Sequence, residues 1–124
     1  MSRVQLALNV TDIDEAVDFY TKVFNTAPAK LRQGYANFEI TEPPLKLVLI
    51  ENGEGGTLNH LGVEVQTVQE VNDATKRLVD TGLTTFEEQG VECCYAKQDK
   101  VWVKDPDGAE WEYYTVLALS LIHI

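Results

Sequence analysis

The sequence is poor in sulfur, proline and positive charge. It has two cysteines, one methionine and four prolines in 124 residues, and ten Lys and Arg against twenty Asp and Glu. The two cysteines are neighbours, Cys93-Cys94, and adjacent residues form only a strained bridge, so a structural disulfide is not expected. The shortage of cations leaves a net charge of −10, which repels phosphate backbones and anionic bilayers and argues against nucleic acid or a membrane as partner. No apolar run approaches the ~20 residues that cross a hydrocarbon core. Met1-Ser2-Arg3 leads directly into a strand pattern with no room for a cleavable leader, so the expected compartment is the cytoplasm. What is plentiful is apolar, 44% of the chain; in one domain's length of sequence this predicts a globular fold with a real core.

From Val4 to Val10, apolar Val4, Leu6, Leu8 and Val10 alternate with Gln5, Ala7 and Asn9, the period of a half-buried strand. Asp12 and Glu15 have capping-box spacing, and Ala16, Val17, Tyr20, Val23 and Phe24 recur at helical intervals up to about Asn25. Pro28 to Arg32, Tyr35 to Ile40 and Leu45 to Glu51 read as three short strands punctuated by Gly34 and Pro43-Pro44. Gly53, Gly55 and Gly56 suggest a flexible joint. The pattern then begins again: a strand from His60 to Val65, a helix capped by Thr67 and Glu70 and closed near Gly82, and strands near Thr84 to Gln89, Lys100 to Lys104 and Glu110 to Val116.

Laying Gln5 over His60 aligns the strand and helix starts of both halves, a repeat of 60 − 5 = 55 residues. The chain therefore reads as one β-α-β-β-β unit used twice, an α+β fold. Module one covers about residues 1–52 and module two about 57–118 of a single domain. Neither unit can bury its apolar face alone, so the two are expected to pair as a curved mixed sheet around a cleft. Strand alternation nominates Gln5, Ala7 and Asn9, His60, Gly62 and Glu64, and Glu110, Glu112 and Tyr114 for the inward face.

Gln5, His60 and Glu112 form a mixed nitrogen and oxygen set with open positions, which suits a divalent first-row metal. The competing reading is a core histidine satisfied by a neighbour and a carboxylate on a solvated strand face. Spacing alone does not choose between Glu110 and Glu112. Cys93 and Cys94 lie in a segment read as a polar loop, with Glu92, Tyr95, Lys97, Gln98, Asp99 and Lys100 around them, where a buried apolar filler would be out of place. Vicinal thiolates form a soft pincer for Cd(II) or trivalent arsenic, and Lys97 or Lys100 close by would favour the thiolate; a regulatory redox pair is the other functional reading. Asp105-Pro106-Asp107-Gly108 is a tight turn that sets the register of the strand carrying Glu112.

Val10-Thr11-Asp12 before Ala16-Val17-Asp18-Phe19-Tyr20, Asn59-His60-Leu61-Gly62, and Asp105-Pro106-Asp107-Gly108 followed by Glu112 resemble the vicinal oxygen chelate superfamily, which includes glyoxalase I, bleomycin-resistance proteins and extradiol dioxygenases. Within it, Gly34 to Phe38, Pro43 to Leu49, Thr57 to Val65, Cys93-Cys94-Tyr95 and Gln98 to Val103 are similar to the carbon-arsenic lyases and cadmium-induced proteins. The resemblance runs to about Ala118. It implies Gln5, His60 and Glu112, rather than Glu110, as ligands of Fe(II), and Cys93 and Cys94 as the holders of a trivalent organoarsenical on a mobile segment.

Glyoxalase I has a fourth ligand on the last strand of its first unit, whereas Leu45 to Ile50 here contains no acid; three ligands leave room for dioxygen and substrate together. The implied activity is an Fe(II)-dependent dioxygenase that cleaves the carbon–arsenic bond, with Glu92 to Lys100 closing over the site and Tyr95 or Tyr114 donating a proton or packing. The alternative is a non-catalytic binder of cadmium or arsenite, and a glyoxalase-type isomerase is disfavoured by the missing ligand. The cleft forms within one chain or across a homodimer. The last six residues, 119–124, do not continue the family pattern; they read either as the in-frame translation of a common sequencing adapter or as a short frayed apolar tail, and on both readings His123 is not counted as a ligand.

Overall fold

The computed structural model describes residues 2–93 and 96–119, the side chains of 92, 93, 96, 118 and 119 excepted. Cys94 and Tyr95, and the tail beyond Leu119, lie outside the described residues. The elements run β1 (Arg3–Val10), α1 (Ile13–Phe24), β2 (Lys30–Arg32), β3 (Tyr35–Ile40), β4 (Leu45–Glu51), β5 (Leu58–Glu64), α2 (Val68–Asp80), β6 (Phe86–Cys93), β7 (Ala96–Lys104) and β8 (Glu110–Leu119). This is the α+β class and the repeated β-α-β-β-β order that the sequence predicts. Two compact units result, one spanning Arg3–Leu61 and the other taking in the chain from Gly62; β5 runs through the boundary.

In the first unit the strand order is β2-β3-β4-β1, with β1 parallel to β4 and the other pairs antiparallel. Strand alternation divides β1 in two. Leu6, Leu8 and Val10 pack with Ala36, Phe38, Ile40, Leu47 and Leu49 against Ile13, Ala16, Val17, Tyr20 and Phe24 of α1. Gln5, Ala7 and Asn9 point the other way and are nevertheless the more buried set. Helix α1 starts where the Asp12 carboxylate accepts the Glu15 N–H at 3.0 Å and the Glu51 carboxylate accepts the Ile13 N–H at 2.9 Å, satisfying donors that have no partner within the helix. It stops at Asn25, which takes the left-handed conformation at φ 49°.

The glycine-rich link between β4 and β5 is not the loose joint the composition suggests. Asn52 N–H donates to Val10 O at 3.0 Å, Gly56 N–H to Asn9 O at 3.1 Å and Asn9 N–H to Thr57 O at 2.9 Å. The link lies so close to β1 that a Cβ on Gly55 would stand 2.8 Å from the Thr11 nitrogen. Glycine is needed there for close approach rather than for freedom.

In the second unit the order is β8-β7-β6, all antiparallel. Val71 and Leu78 of α2 join Val65 and Val101 in its core. Thr67 accepts the Glu70 N–H at 3.1 Å and its hydroxyl bonds the Glu70 carboxylate at 3.1 Å, the expected capping box. Gly82, at φ 90°, follows the helix C-cap Thr81.

The segment read as a polar loop is mostly strand. Pairs Val91↔Gln98, Glu92↔Lys97 and Cys93↔Ala96 continue the β6–β7 ladder almost to its tip, and Ala96↔Leu119 and Lys97↔Ala118 continue β7–β8. Backbone hydrogen bonds of a long hairpin do not need apolar side chains, and alternating polar residues are tolerated on both sides of it. The ladder does shift register between Glu88 and Val91, where Gly90 has φ 62° and donates to the Asp99 carboxylate at 2.6 Å, and between Lys97 and Gln98. Strand starts also move by a few residues from the expected ones: β2 begins at Lys30, β5 at Leu58 and β6 at Phe86.

Candidate active site

Gln5 on β1 and His60 on β5 meet within the first unit. Gln5 is buried, and its Nε2 lies 3.2 Å from His60 Nε2. On the other side of the ring, His60 Nδ1 is 2.7 Å from Asn59 Oδ1. Asn59 Nδ2 in turn donates to Asn9 Oδ1 at 2.9 Å, as does Asn52 Nδ2 at 2.8 Å, and Asn9 Nδ2 donates to Thr57 Oγ1 at 2.8 Å. The two buried amides, Gln5 and Asn9, are thereby satisfied by side chains of their own unit, of which Asn52, Thr57 and Asn59 are exposed. Asn9 is expected on the inward face from alternation; its partners at Asn52, Thr57 and Asn59 are not legible, because they depend on how the link folds back.

Glu112 lies in the second unit, on β8, with its side chain 4% exposed. Its Oε1 is 2.8 Å from Nζ of Lys100, itself 1% exposed. Lys100 sits opposite Tyr114 on β7, and Trp102 sits opposite Glu112, so the ion pair runs diagonally across one face of the hairpin. The ammonium also lies 5.3 Å from the Trp102 ring centre and 5.9 Å from that of Tyr114, within the range of cation–π attraction. The Trp102 indole N–H donates to the Glu88 carboxylate at 2.8 Å, and the Tyr114 hydroxyl donates to the Glu64 carboxylate at 3.4 Å. Taking a lysine and a glutamate out of water is costly, and this close pairing is what offsets it.

Lys100, read from sequence as the start of a strand and as a cation that would favour the thiolates on close approach, is engaged with Glu112, a pairing the sequence reading missed. The signal was present: Gln98, Lys100, Trp102 and Lys104 alternate with Asp99, Val101 and Val103, which puts Lys100 on the Trp102 face. Glu110, the alternative carboxylate, is exposed at the start of β8 opposite Lys104. Beside it a cavity of about 790 Å³ is lined by Leu83, Phe86, Trp102, Lys104 and Glu110 among others. Phe86 pairs with Trp102 and Trp102 with Glu112, so these side chains share one face of the strands.

Of the remaining expected site residues, Tyr114 is buried with its hydroxyl on Glu64. The Cys93 backbone ends β6, while its side chain, Cys94 and Tyr95 fall outside the described residues. Among the described residues, no group of three or more His, Cys, Asp or Glu gathers that could hold a metal ion, and no helix is long and apolar enough to cross a membrane.

Comparison with known proteins gives these pieces a family. Residues 3–113 match the model of the Glyoxalase/Bleomycin resistance protein/Dioxygenase superfamily. The cadmium-induced protein CadI of Mycobacterium tuberculosis is 60% identical over 121 residues, 97% of this chain and 80% of that protein. A trivalent organoarsenical cleaving enzyme of Thermomonospora curvata is 59% identical over 118 residues, 94% of this chain and 78% of that protein. Among solved structures, the 2,3-dioxygenase LapB from Pseudomonas sp. KL28 superposes with a TM-score of 0.72 at 20% identity, over 95% of this chain and 42% of LapB, a likeness of fold. With the repeated β-α-β-β-β units and a family match over nearly their whole length, the chain belongs to the glyoxalase, bleomycin resistance protein and dioxygenase superfamily.

Proposed function

We propose that the protein is a dioxygenase-type enzyme that cleaves the carbon–arsenic bond of trivalent organoarsenicals, with Gln5, His60 and Glu112 holding Fe(II) and Cys93 and Cys94 holding the substrate. The observation that carries this reading is the 59% identity, over 94% of the chain, to a trivalent organoarsenical cleaving enzyme. The donor types, an imidazole nitrogen, an amide and a carboxylate, suit a divalent first-row ion; for Glu112 to serve, the ion would take the place of the Lys100 ammonium now 2.8 Å from its Oε1. Bound Fe(II) would supply dioxygen activation at its open positions.

The chain's own groups account for the rest. Two cysteine thiols condensing with the two hydroxyls of methylarsonous acid form two arsenic–sulfur bonds, and each thiol proton leaves with a hydroxyl as water, two waters in all, which turns a bimolecular encounter into a positioned one. Methylarsonous acid and dioxygen balance to arsenous acid and formaldehyde, so the carbon is oxidised and the arsenic stays trivalent. Trp102, Phe86 and Leu83, on the cavity that Glu110 also lines, are suited to an apolar substituent. Cys93 pairs with Ala96 and Ala96 with Leu119, and 119 − 112 = 7 residues separate that level of the hairpin from Glu112. At the usual rise this is about 20 Å along the strand. In the reading where one chain supplies both sites, delivery of the substrate calls for a bend in the hairpin, and the two register shifts at Glu88/Val91 and Lys97/Gln98 are where its ladder is already interrupted.

The test is anaerobic reconstitution with Fe(II), then addition of a trivalent methylarsenical with and without oxygen, following arsenite release and oxygen uptake. Oxygen-dependent arsenite release, lost in Cys93→Ala/Cys94→Ala, supports the proposal. Tight stoichiometric binding with no release under either atmosphere would instead favour a cadmium or arsenite binder, the reading suggested by 60% identity to a cadmium-induced protein. Turnover without oxygen would point to an isomerase.

A further inference from the structure

Asn9 and Asn59 have no part in the ligand set or the thiol pair, yet their carboxamides form a chain that ends on His60. The direction of every hydrogen bond in it can be followed from one fixed point. The Glu54 carbonyl can only accept, so the Thr57 hydroxyl, 2.6 Å away, donates to it. With that proton committed, Thr57 Oγ1 accepts at its other contact, 2.8 Å from Asn9, and the Asn9 atom there is Nδ2. Asn9 Oδ1 is then the acceptor for Asn52 Nδ2 at 2.8 Å and Asn59 Nδ2 at 2.9 Å. The orientation of Asn52 has an independent check, since its Oδ1 accepts the Glu54 N–H at 2.8 Å.

Asn59 therefore turns its oxygen to His60 Nδ1, 2.7 Å away. An amide oxygen accepts only, so in the neutral ring Nδ1 carries the proton and the lone pair is on Nε2, the atom that faces Gln5 at 3.2 Å. Asn9 is a firm anchor for this chain, because its own N–H and C=O are tied to Thr57 O at 2.9 Å and Gly56 N at 3.1 Å.

We propose that Asn9 and Asn59 are positioning residues that lock His60 in its Nδ1–H tautomer and so present Nε2 as a lone-pair donor to a divalent first-row cation, an inference that rests on the reading of His60 as a ligand. An unconstrained imidazole exchanges its proton between both nitrogens and must reorganise before it can bind a metal. The relay removes that step and fixes the ring plane, as outer partners of ligating histidines do.

The experiment uses metal-free protein labelled with 15N-histidine, in a His123→Gln background so that His60 is the one histidine. Proton–nitrogen correlation spectra distinguish the protonated ring nitrogen from the bare one, and calorimetric titration with Co(II) at fixed pH gives the affinity. Wild type is expected to carry its proton on Nδ1. Asn59→Ala and Asn9→Leu should give a mixture of tautomers and weaken Co(II) binding by about 10–100-fold, while Asn59→Asp, which keeps an acceptor at Nδ1, retains the wild-type tautomer. Thr57→Val breaks the far end of the relay with little change of volume, and serves if Asn9→Leu does not fold.

A wild-type proton on Nε2, or an unmoved tautomer and affinity in Asn59→Ala, overturns the relay even if His60→Ala abolishes Co(II) binding. If His60→Ala binds Co(II) as tightly as wild type, the ligand reading fails and the proposal falls with it, whatever the tautomer does.

Discussion

The two units repeat one order of elements but satisfy their buried polar faces in opposite ways. In the first, the buried Gln5 and Asn9 find partners in His60 and in the exposed Asn52, Thr57 and Asn59, a set of amides, a hydroxyl and an imidazole. The second does it with a full ion pair, Lys100 with Glu112, backed by two aromatic rings. Trimming one member of the uncharged network leaves an amide that water or a relaxed partner can still satisfy, a smaller loss than an unpaired buried charge. A buried charge has no such substitute. The same repeat thus carries an imidazole beside an amide on one unit and a carboxylate held by a buried ammonium on the other.

The largest test of that contrast is Glu112→Leu, which leaves the Lys100 ammonium buried without its carboxylate and should cost about 3–5 kcal/mol in urea unfolding. Adding Lys100→Met should restore most of the loss; equal instability of single and double variants would mean that packing, not charge, holds this face. On the neutral side, Asn9→Ala should cost about 1–3 kcal/mol. A loss as large as that of Glu112→Leu would erase the distinction between the units.

The helix ends sharpen the comparison at a smaller scale. Gly82 follows α2 at φ 90°, whereas α1 ends on Asn25 at φ 49°. Gly82→Ala should lower stability by about 1–2 kcal/mol, since a Cβ is disfavoured at positive φ, and Asn25→Gly should change it by less than about 1 kcal/mol because asparagine already tolerates that region. Comparable effects at the two ends would show that the caps are not equivalent to their dihedral angles. Smallest of all, the exposed pairs Lys22–Asp18 and Lys76–Asp80 at 2.9 and 2.7 Å should contribute about 0.3–0.5 kcal/mol each, measured as equal small shifts in melting for Lys22→Ala and Lys76→Ala.

Local signals in the sequence were reliable wherever a residue acts on its own neighbours. Asp12 with Glu15 and Thr67 with Glu70 cap the helices they were expected to cap, and the alternation in β1 separates the helix-packed side from the polar one. They failed where composition stood in for backbone pairing. The run from Glu92 to Lys100 looked like a loop because it is polar, but in a long antiparallel hairpin the ladder, not the side chains, maintains the strand. The glycines before β5 looked like a hinge, but the link is hydrogen-bonded to β1, and Gly55 lies against Thr11 where a Cβ would not fit.

The order of elements and the repeat of 55 residues from Gln5 to His60 could be read from the chain, because period and capping are properties of residues within a few positions of one another. The pairing of Lys100 with Glu112 and the passage from Thr57 through Asn9 to His60 could not. Each joins groups whose meeting depends on strand register and on where a link folds back, and those are set by the summed packing of a whole unit rather than by any local pattern.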